Sequence, residues 1–223
     1  MRKYPGMSAR ERWLVSHVKG KIVIDIGFAG QKPRIPTYFT FLKEIHCDSL
    51  IIGIDNNRDV VLDRKQKESL VGNAQALPLR TESVDCVILG EFLEHHSCIT
   101  NFLEECQRVL KVEGHMLITT PNPFFSNRLF KSWLLQLGES VFRPSNILES
   151  MGHNDHLVLW DPLSLCNLLL RSGFKLNEVT TLGSWIPWLA RAVPRFRKGF
   201  YLNLWPVNRI GHITCIKCSK VKT

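Results

Sequence analysis

The chain has 223 residues, 44% of them hydrophobic and 22% charged, which supplies one sizeable core and sets aside fibrous and low-complexity classes. No apolar run approaches the roughly 20 residues that cross a bilayer, and Met1 to Gly6 leads into no secretory-signal core, so a cytoplasmic protein is expected. A formal charge of +9 favours an anionic partner, whether nucleic acid, a phosphorylated substrate or an acidic membrane surface, but no long Lys/Arg block specifies which.

In chain order, Ser8 to Val18 sets Trp13, Leu14 and Val18 among charged residues and predicts a short amphipathic helix. Lys21 to Gly27 is a β-branched apolar run that predicts a buried parallel strand, opening into the loop Gly27-Phe-Ala-Gly30 where backbone can approach a ligand. Pro33 and Pro36 punctuate the next stretch, and Thr37 to His46 predicts a helix. Leu50 to Asp55 is a second apolar strand whose terminal acid follows the glycine loop by about 25 positions. An acid so placed faces a ligand held by the first loop and can accept hydrogen bonds from both ribose hydroxyls.

Val71 to Leu79 reads as a strand end and loop, and Val84 to Leu89 as a third buried strand. Just past it, Glu91, Glu94 and His95 are spaced i, i+3 and i+4, which predicts one shared face at a helix start. Two carboxylates and an imidazole converging there cost free energy unless a cation or a reacting group sits between them, which makes all three candidate catalytic residues. From His96 to Leu110 apolar residues recur at helical period; Lys111 to Gly114 then predicts a turn, His115 to Thr120 a strand, and Pro121 and Pro123 its end. Strands alternating with helices imply an α/β, doubly wound, mostly parallel sheet.

Phe124 to Met151 is irregular and aromatic, the expected place for a lid. Asp161 to Ser172 predicts a helix with Asp161 as N-cap and Pro162 in its first turn, ended by Gly173. Phe174 to Thr181 and His212 to Ser219 are the expected last strands. Between them, Trp185, Trp188, Phe196, Phe200 and Trp205 alternate with Arg191, Arg195, Arg197 and Lys198 across residues 184–205. A lid or dimer contact, a peripheral membrane or lipid-linked-substrate contact, and an RNA contact are the readings of that stretch. The seven cysteines form no disulfide framework and are expected as thiols; Cys215 and Cys218 have metal spacing but no second pair, and read as part of an edge strand. His17, His46, His96, His115 and His212 read as surface or packed residues. One domain over 1–223 is expected: an N-terminal helix in 1–20, a cofactor-binding half in 21–120, and a substrate half in 121–223 with a lid and a C-terminal insertion near 183–210.

Over roughly Lys21 to Thr180 the chain resembles the class I, Rossmann-like methyltransferases that use S-adenosylmethionine. Val23 to Gly30 is similar to their first motif, Asp55 to the ribose-binding acid, Gly72 to Leu79 to the adenine-contacting segment, and Phe102 to Thr120 to the helix, turn and strand that follow. The resemblance implies S-adenosylmethionine as cofactor, bound by Asp25, Gly27, Phe28, Gly30, Asp55, Asn56, Asn73, Ala74 and Gly90. Ala29 and Gln31 replace two of the usual glycines and Asn73 the usual Asp. Ala29 is tolerated at negative φ, and an amide at 73 can still donate to or accept from adenine.

Glu91-Phe-Leu-Glu94-His95 resembles, within that family, the O-methyltransferases of ubiquinone biosynthesis and the small-RNA 3′-terminal 2′-O-methyltransferases. That resemblance implies Mg²⁺ or another divalent cation held by Glu91, Glu94, His95 and His156, with His153 as the alternative to His156. Relatives carry the Leu-Glu-His triplet without metal, so a metal-free active site and a purely structural role for His95 stand beside it. The implied activity is O-methylation of a small molecule or of a glycan or lipid-linked saccharide. An RNA 2′-O-methyltransferase and a non-catalytic cofactor-binding partner subunit are the alternatives.

Overall fold

The structure is a computed structural model that describes residues 7–29, 38–63, 68–125, 156–182 and 211–222. Among the described residues seven strands form one sheet: β1 (Ile22–Ile26), β2 (Leu50–Asp55), β3 (Ser69–Val71), β4 (Val84–Gly90), β5 (Leu110–Pro121), β6 (Phe174–Leu182) and β7 (Ile213–Lys220). Their order is β3-β2-β1-β4-β5-β7-β6. The first five run parallel, and β7 lies antiparallel between β5 and β6. The described helices are α1 (Ala9–His17), α2 (Tyr38–Ile45), α3 (Arg58–Asp63), α4 (Thr100–Val109) and α5 (Pro162–Arg171). The expected α/β, Rossmann-like, mostly parallel sheet is therefore present.

The two-residue period of the strands builds two cores. Ile24, Ile54, Val87, Leu89, Met116, Ile118 and Ile216 face one side, packed under Phe102, Leu103 and Cys106 of α4 and Leu165 and Leu169 of α5. Val23, Ile51, Cys86, Ile88, Leu117 and Cys215 face the other, under Trp13 and Leu14 of α1 and Phe39 and Leu42 of α2. Each such side chain, fully buried, contributes about 1.5–3 kcal/mol. Both faces of the sheet are covered, which is why β1 and β4 are nearly continuous apolar runs.

Helix ends follow local chemistry. Ser8 caps α1 reciprocally with Glu11, its Oγ accepting from Glu11 N–H at 3.2 Å while Glu11 accepts from Ser8 N–H at 2.6 Å. Asp161 caps α5 by accepting from Ser164 N–H at 2.8 Å, as expected. Gly173 ends α5 at φ +81°, and Gln107 donates to the Ser172 and Gly173 carbonyls there.

Some expectations change. The helix expected from His96 begins at Thr100, because the chain first spends a 3-10 turn on Leu93–His95 and then extends at His96. Lys111 to Gly114 is carried inside β5 as an irregularity, with Glu113 at φ +63°. The strand holding Cys215 and Cys218 is interior rather than an edge. Those two cysteines are three residues apart on a strand, so they point to opposite faces, one into each core. Both are buried thiols held well above the usual range by burial, and the zinc spacing is geometrically empty. The cysteines are free thiols, as expected. Helix α3 was not anticipated. No helix among the described residues is long and apolar enough to cross a membrane. The expected lid beyond Phe125, Gly30, His153 and the aromatic, basic 184–205 stretch lie outside the described residues.

Candidate active site

Strand order reverses beside β1: the chain goes outward to β2 and β3, then returns to β4 on the other side. The crevice at the carboxyl ends of β1 and β4 is thus where connecting loops diverge and a ligand fits. A cavity of about 500 Å³ opens there, walled by the segments that follow β1, β2, β3 and β4.

On the β1 to β3 side, Gly27 sits at φ +74° and donates to the Ile54 carbonyl at 2.8 Å. A Cβ there would fall 2.7 Å from the Phe92 ring, so both backbone conformation and space demand glycine. Ala29 stays out of the left-handed region, as its substitution for glycine requires. Its N–H donates to Asp55 Oδ2 at 3.2 Å, while Asn57 N–H donates to Asp55 Oδ1 at 2.9 Å. Each oxygen retains a lone pair for a further donor, and the two together suit a vicinal diol. After β3, Asn73 Oδ1 accepts from Gln75 N–H at 2.9 Å and its carbonyl accepts from Ala76 N–H at 3.0 Å. That turn presents the Asn73 amide and Ala74 to the cavity.

On the β4 side, Glu91 is left-handed at φ +54°, its N–H donating to the Thr119 carbonyl at 2.8 Å. Its carboxylate pairs with Arg10 of α1 at 3.5 Å. The next turn buries Glu94 completely. Thr120 donates its hydroxyl to Glu94 Oε2 at 3.3 Å, and Oε1 lies 3.9 Å from His156 Nε2. The His95 and His156 rings stand nearly perpendicular with centroids 5.0 Å apart. The ligand atoms of Glu94, His95 and His156 all lie within 4.8 Å of one another. Burial raises the Glu94 carboxyl to about 7, with the Glu91 charge adding to that and the backbone and Thr120 hydrogen bonds opposing it.

His156 is held to this turn by its own neighbours. Leu157 and Val158 N–H both donate to the Glu94 carbonyl, at 2.8 and 3.1 Å, and the Trp160 indole donates to the Leu93 carbonyl at 3.0 Å. A segment about 60 residues downstream is thereby strapped across the one-turn helix.

The expectation that Glu91, Glu94 and His95 share a helix face is corrected. With Glu91 left-handed and only one 3-10 turn following, Glu91 turns toward Arg10, Glu94 goes inward and His95 lines the cavity. Gly27, Asp55, Asn56, Asn73 and Ala74 line the same cavity as Glu91 and His95. Asp25 does not line it, being fully buried within β1. The Phe28 side chain is buried against Phe39 and Gly53, so what it offers a ligand is backbone. Gly90 pairs with Thr119 as the last residue of β4, and its side of the cavity is formed by Glu91 and Phe92. Sequence reasoning missed Asn57, Phe92, His96 and Phe102 as cavity residues, while Gly72 and Gln75 line it within the segment expected to contact adenine. His96 packs tilted against Phe92 at 4.3 Å and meets Phe102 edge-on at 4.6 Å, with Nδ1 donating to the Phe92 carbonyl at 3.0 Å.

These residues fit S-adenosylmethionine. The Asp55 carboxylate suits the ribose diol, the Asn73 amide and Ala74 backbone suit adenine between Ile54 and Phe102, and Asp55 and Glu91 favour a cationic ligand. The volume is that of a small-molecule site. A carboxylate and two imidazoles also form a donor set a divalent cation accepts, without Glu91.

Residues 38–118 match the profile of a methyltransferase domain. The malonyl-[acyl-carrier protein] O-methyltransferase 1 of Coxiella burnetii is 29% identical over 92 residues, which cover 41% of this chain and 32% of that protein. A "probable S-adenosylmethionine-dependent methyltransferase" of Mycolicibacterium smegmatis is 36% identical over 76 residues, covering 32% of this chain and 30% of that protein. The chain thus spans about a third of the length of these curated relatives. The crystal structure of a SAM-dependent methyltransferase from Thermotoga maritima superimposes with a TM-score of 0.66 at 16% identity, covering 95% of this chain and 87% of that one. Sheet order, a crevice at the strand reversal and the structural match give the chain the fold of the class I S-adenosylmethionine-dependent methyltransferases, and residues 38–118 are similar to a methyltransferase domain.

Proposed function

We propose that the chain transfers a methyl group from S-adenosylmethionine to an oxygen of a small molecule, a glycan or a lipid-linked saccharide. The observation that carries this reading is one cavity bounded by a diol-binding carboxylate, Asp55, on one side and by His95 on the other, with the buried Glu94 and His156 behind it. When bound, S-adenosylmethionine supplies an electrophilic methyl on a sulfonium. The chain's residues hold and deprotonate. Asp55 and Asn73 fix the nucleoside, Gly27 lets the backbone close on it, and Glu91 places negative charge on the cavity wall. The acceptor oxygen must approach in line and lose its proton as the new carbon–oxygen bond forms. His95 on the cavity wall takes that proton directly, or Glu94, buried behind it with its carboxyl raised to about 7, takes it through water. The Coxiella burnetii relative is named as an O-methyltransferase, which is in keeping with oxygen as the acceptor.

The clustering of Glu94, His95 and His156 favours a fuller form of the same proposal, in which these three hold Mg²⁺ or a similar cation. Such an ion would lower the pKa of an acceptor hydroxyl. Calorimetry with S-adenosylmethionine and S-adenosylhomocysteine tests the cofactor half, and absence of binding by both at millimolar concentration overturns it. Transfer to hydroxylated acceptors with and without EDTA tests the rest. Activity indifferent to EDTA and to His156→Ala removes the ion, and activity indifferent to Glu94→Gln and His95→Ala removes the assignment of the acceptor side.

A further inference from the structure

The wall of the cavity that carries Asn73 and Ala74 is a loop, and it is fastened from one side. Beyond its internal turn, Leu77 N–H donates to Glu105 Oε2 at 2.6 Å. Arg108 donates from Nη2 to the Leu77 carbonyl at 3.0 Å and from Nη1 to the Leu79 carbonyl at 2.8 Å. Glu105 and Arg108 are themselves locked in a two-pronged pair, Nε to Oε1 at 2.7 Å and Nη2 to Oε2 at 2.8 Å. They stand one turn apart on α4, whose earlier residue Phe102 lines the cavity. Neither charged residue lines it. A planar guanidinium can donate in fixed directions to a carboxylate and to two carbonyls at once, which an ammonium cannot.

We infer that the Glu105–Arg108 pair is a positioning device for the cofactor: it sets the height of Asn73 and Ala74 over the crevice, so affinity for the nucleoside depends on a charge pair that never touches it. This rests on the S-adenosylmethionine reading above. The pair fixes the backbone at Leu77 and Leu79, and the buried Leu77 and Ala74 side chains carry that constraint back to the adenine-facing turn. Without the pair, the Leu77 N–H and the Leu79 carbonyl lose these partners together, the Leu77 carbonyl keeps only its bond from Leu79 N–H, and the turn is free to ride up from the ribose carboxylate.

Calorimetry of S-adenosylhomocysteine binding to the full chain tests it, using Arg108→Ala, Glu105→Ala, the double variant and Arg108→Lys. Lys111→Gln, which breaks the Lys111–Asp85 pair at the amino ends of the strands, serves as a matched control for general loss of stability. Each single alanine variant is expected to weaken binding by roughly tenfold. The double variant should lose little more than either single one, because the two residues act as one clamp. Arg108→Lys should recover part of the loss, and Lys111→Gln should bind as wild type. In turnover assays KM for S-adenosylmethionine should rise while kcat at saturation stays within about twofold. Wild-type affinity in a folded Arg108→Ala or Arg108→Lys chain overturns the inference, and so does an equal loss in Lys111→Gln. A wild-type chain that binds neither compound overturns the methyltransferase reading itself, which is a different outcome. Where Arg108→Ala fails to fold, Arg108→Lys and Glu105→Gln carry the same comparison.

Discussion

Glu94 has no exposed surface, one hydroxyl donor and a histidine near its other oxygen, and this makes it the costliest ionisable group in the site. In the unfolded chain its carboxyl ionises near 4.5 and in the folded chain at about 7, so the native state holds its proton more tightly. Its contribution to stability is fully present below pH 4.5 and is lost as pH rises through 7, by about 3 kcal/mol in all. Urea unfolding in EDTA should show this decline in wild type between pH 5 and 8, and Glu94→Gln should flatten it. Parallel curves for the two proteins would remove Glu94 as the cause. The same variant should lose about a hundredfold or more in transfer rate, since a neutral amide cannot take a proton. Asp55 is its counterpart on the side proposed to hold the cofactor. It is held by two backbone donors rather than by burial, and Asp55→Ala should weaken S-adenosylhomocysteine binding by about 10- to 100-fold, read by calorimetry, as charge-assisted hydrogen bonds to the diol are lost. Wild-type affinity in that variant would place the ribose elsewhere.

At the scale of elements, the strands were legible because β-branched runs such as Ile22 to Ile26 and Val84 to Leu89 have no other way to hide their side chains than between two layers of helix. Asp55 and Gly27 were legible for a related reason, since a strand end and a tight loop constrain residue type locally. The turn after β4 was not. Glu91 to His95 has helical spacing, and what overrides it lies far away in sequence: the Thr119 carbonyl fixes Glu91, Thr120 draws Glu94 inward, and Leu157, Val158 and Trp160 strap the turn down. The interior place of β7 was hidden likewise, because pairing with both β5 and β6 is a long-range choice. The strap gives its own expected outcome. Trp160→Phe removes the indole donor to Leu93 while keeping an aromatic ring, and should cost about 1 kcal/mol in chemical unfolding. It should lower kcat more than KM for S-adenosylmethionine, since it loosens His156 and leaves the cofactor wall alone. A change confined to the cofactor KM would mean that the strap serves the other side of the crevice.

The whole molecule joins these elements in one place. The cavity is walled by segments following four different parallel strands, so no single local unit contains the site and only the assembled sheet presents it. A ligand that binds there binds the native state and leaves the unfolded chain alone, which links cofactor affinity to global stability. At a ligand concentration of 100 times its dissociation constant the native state gains about 2.7 kcal/mol. For a chain of this size each kcal/mol moves the midpoint by about 2–4 °C, so S-adenosylhomocysteine should raise Tm by roughly 5–10 °C. Asp55→Ala should abolish most of that rise at the same ligand concentration while leaving the unliganded Tm within a few degrees of wild type, because its carboxylate faces the cavity rather than the core. Scanning calorimetry at several ligand concentrations reads both quantities. A shift that persists in Asp55→Ala, or one that saturates far below the value set by the measured dissociation constant, would mean that the compound binds away from the crevice where β1 and β4 diverge.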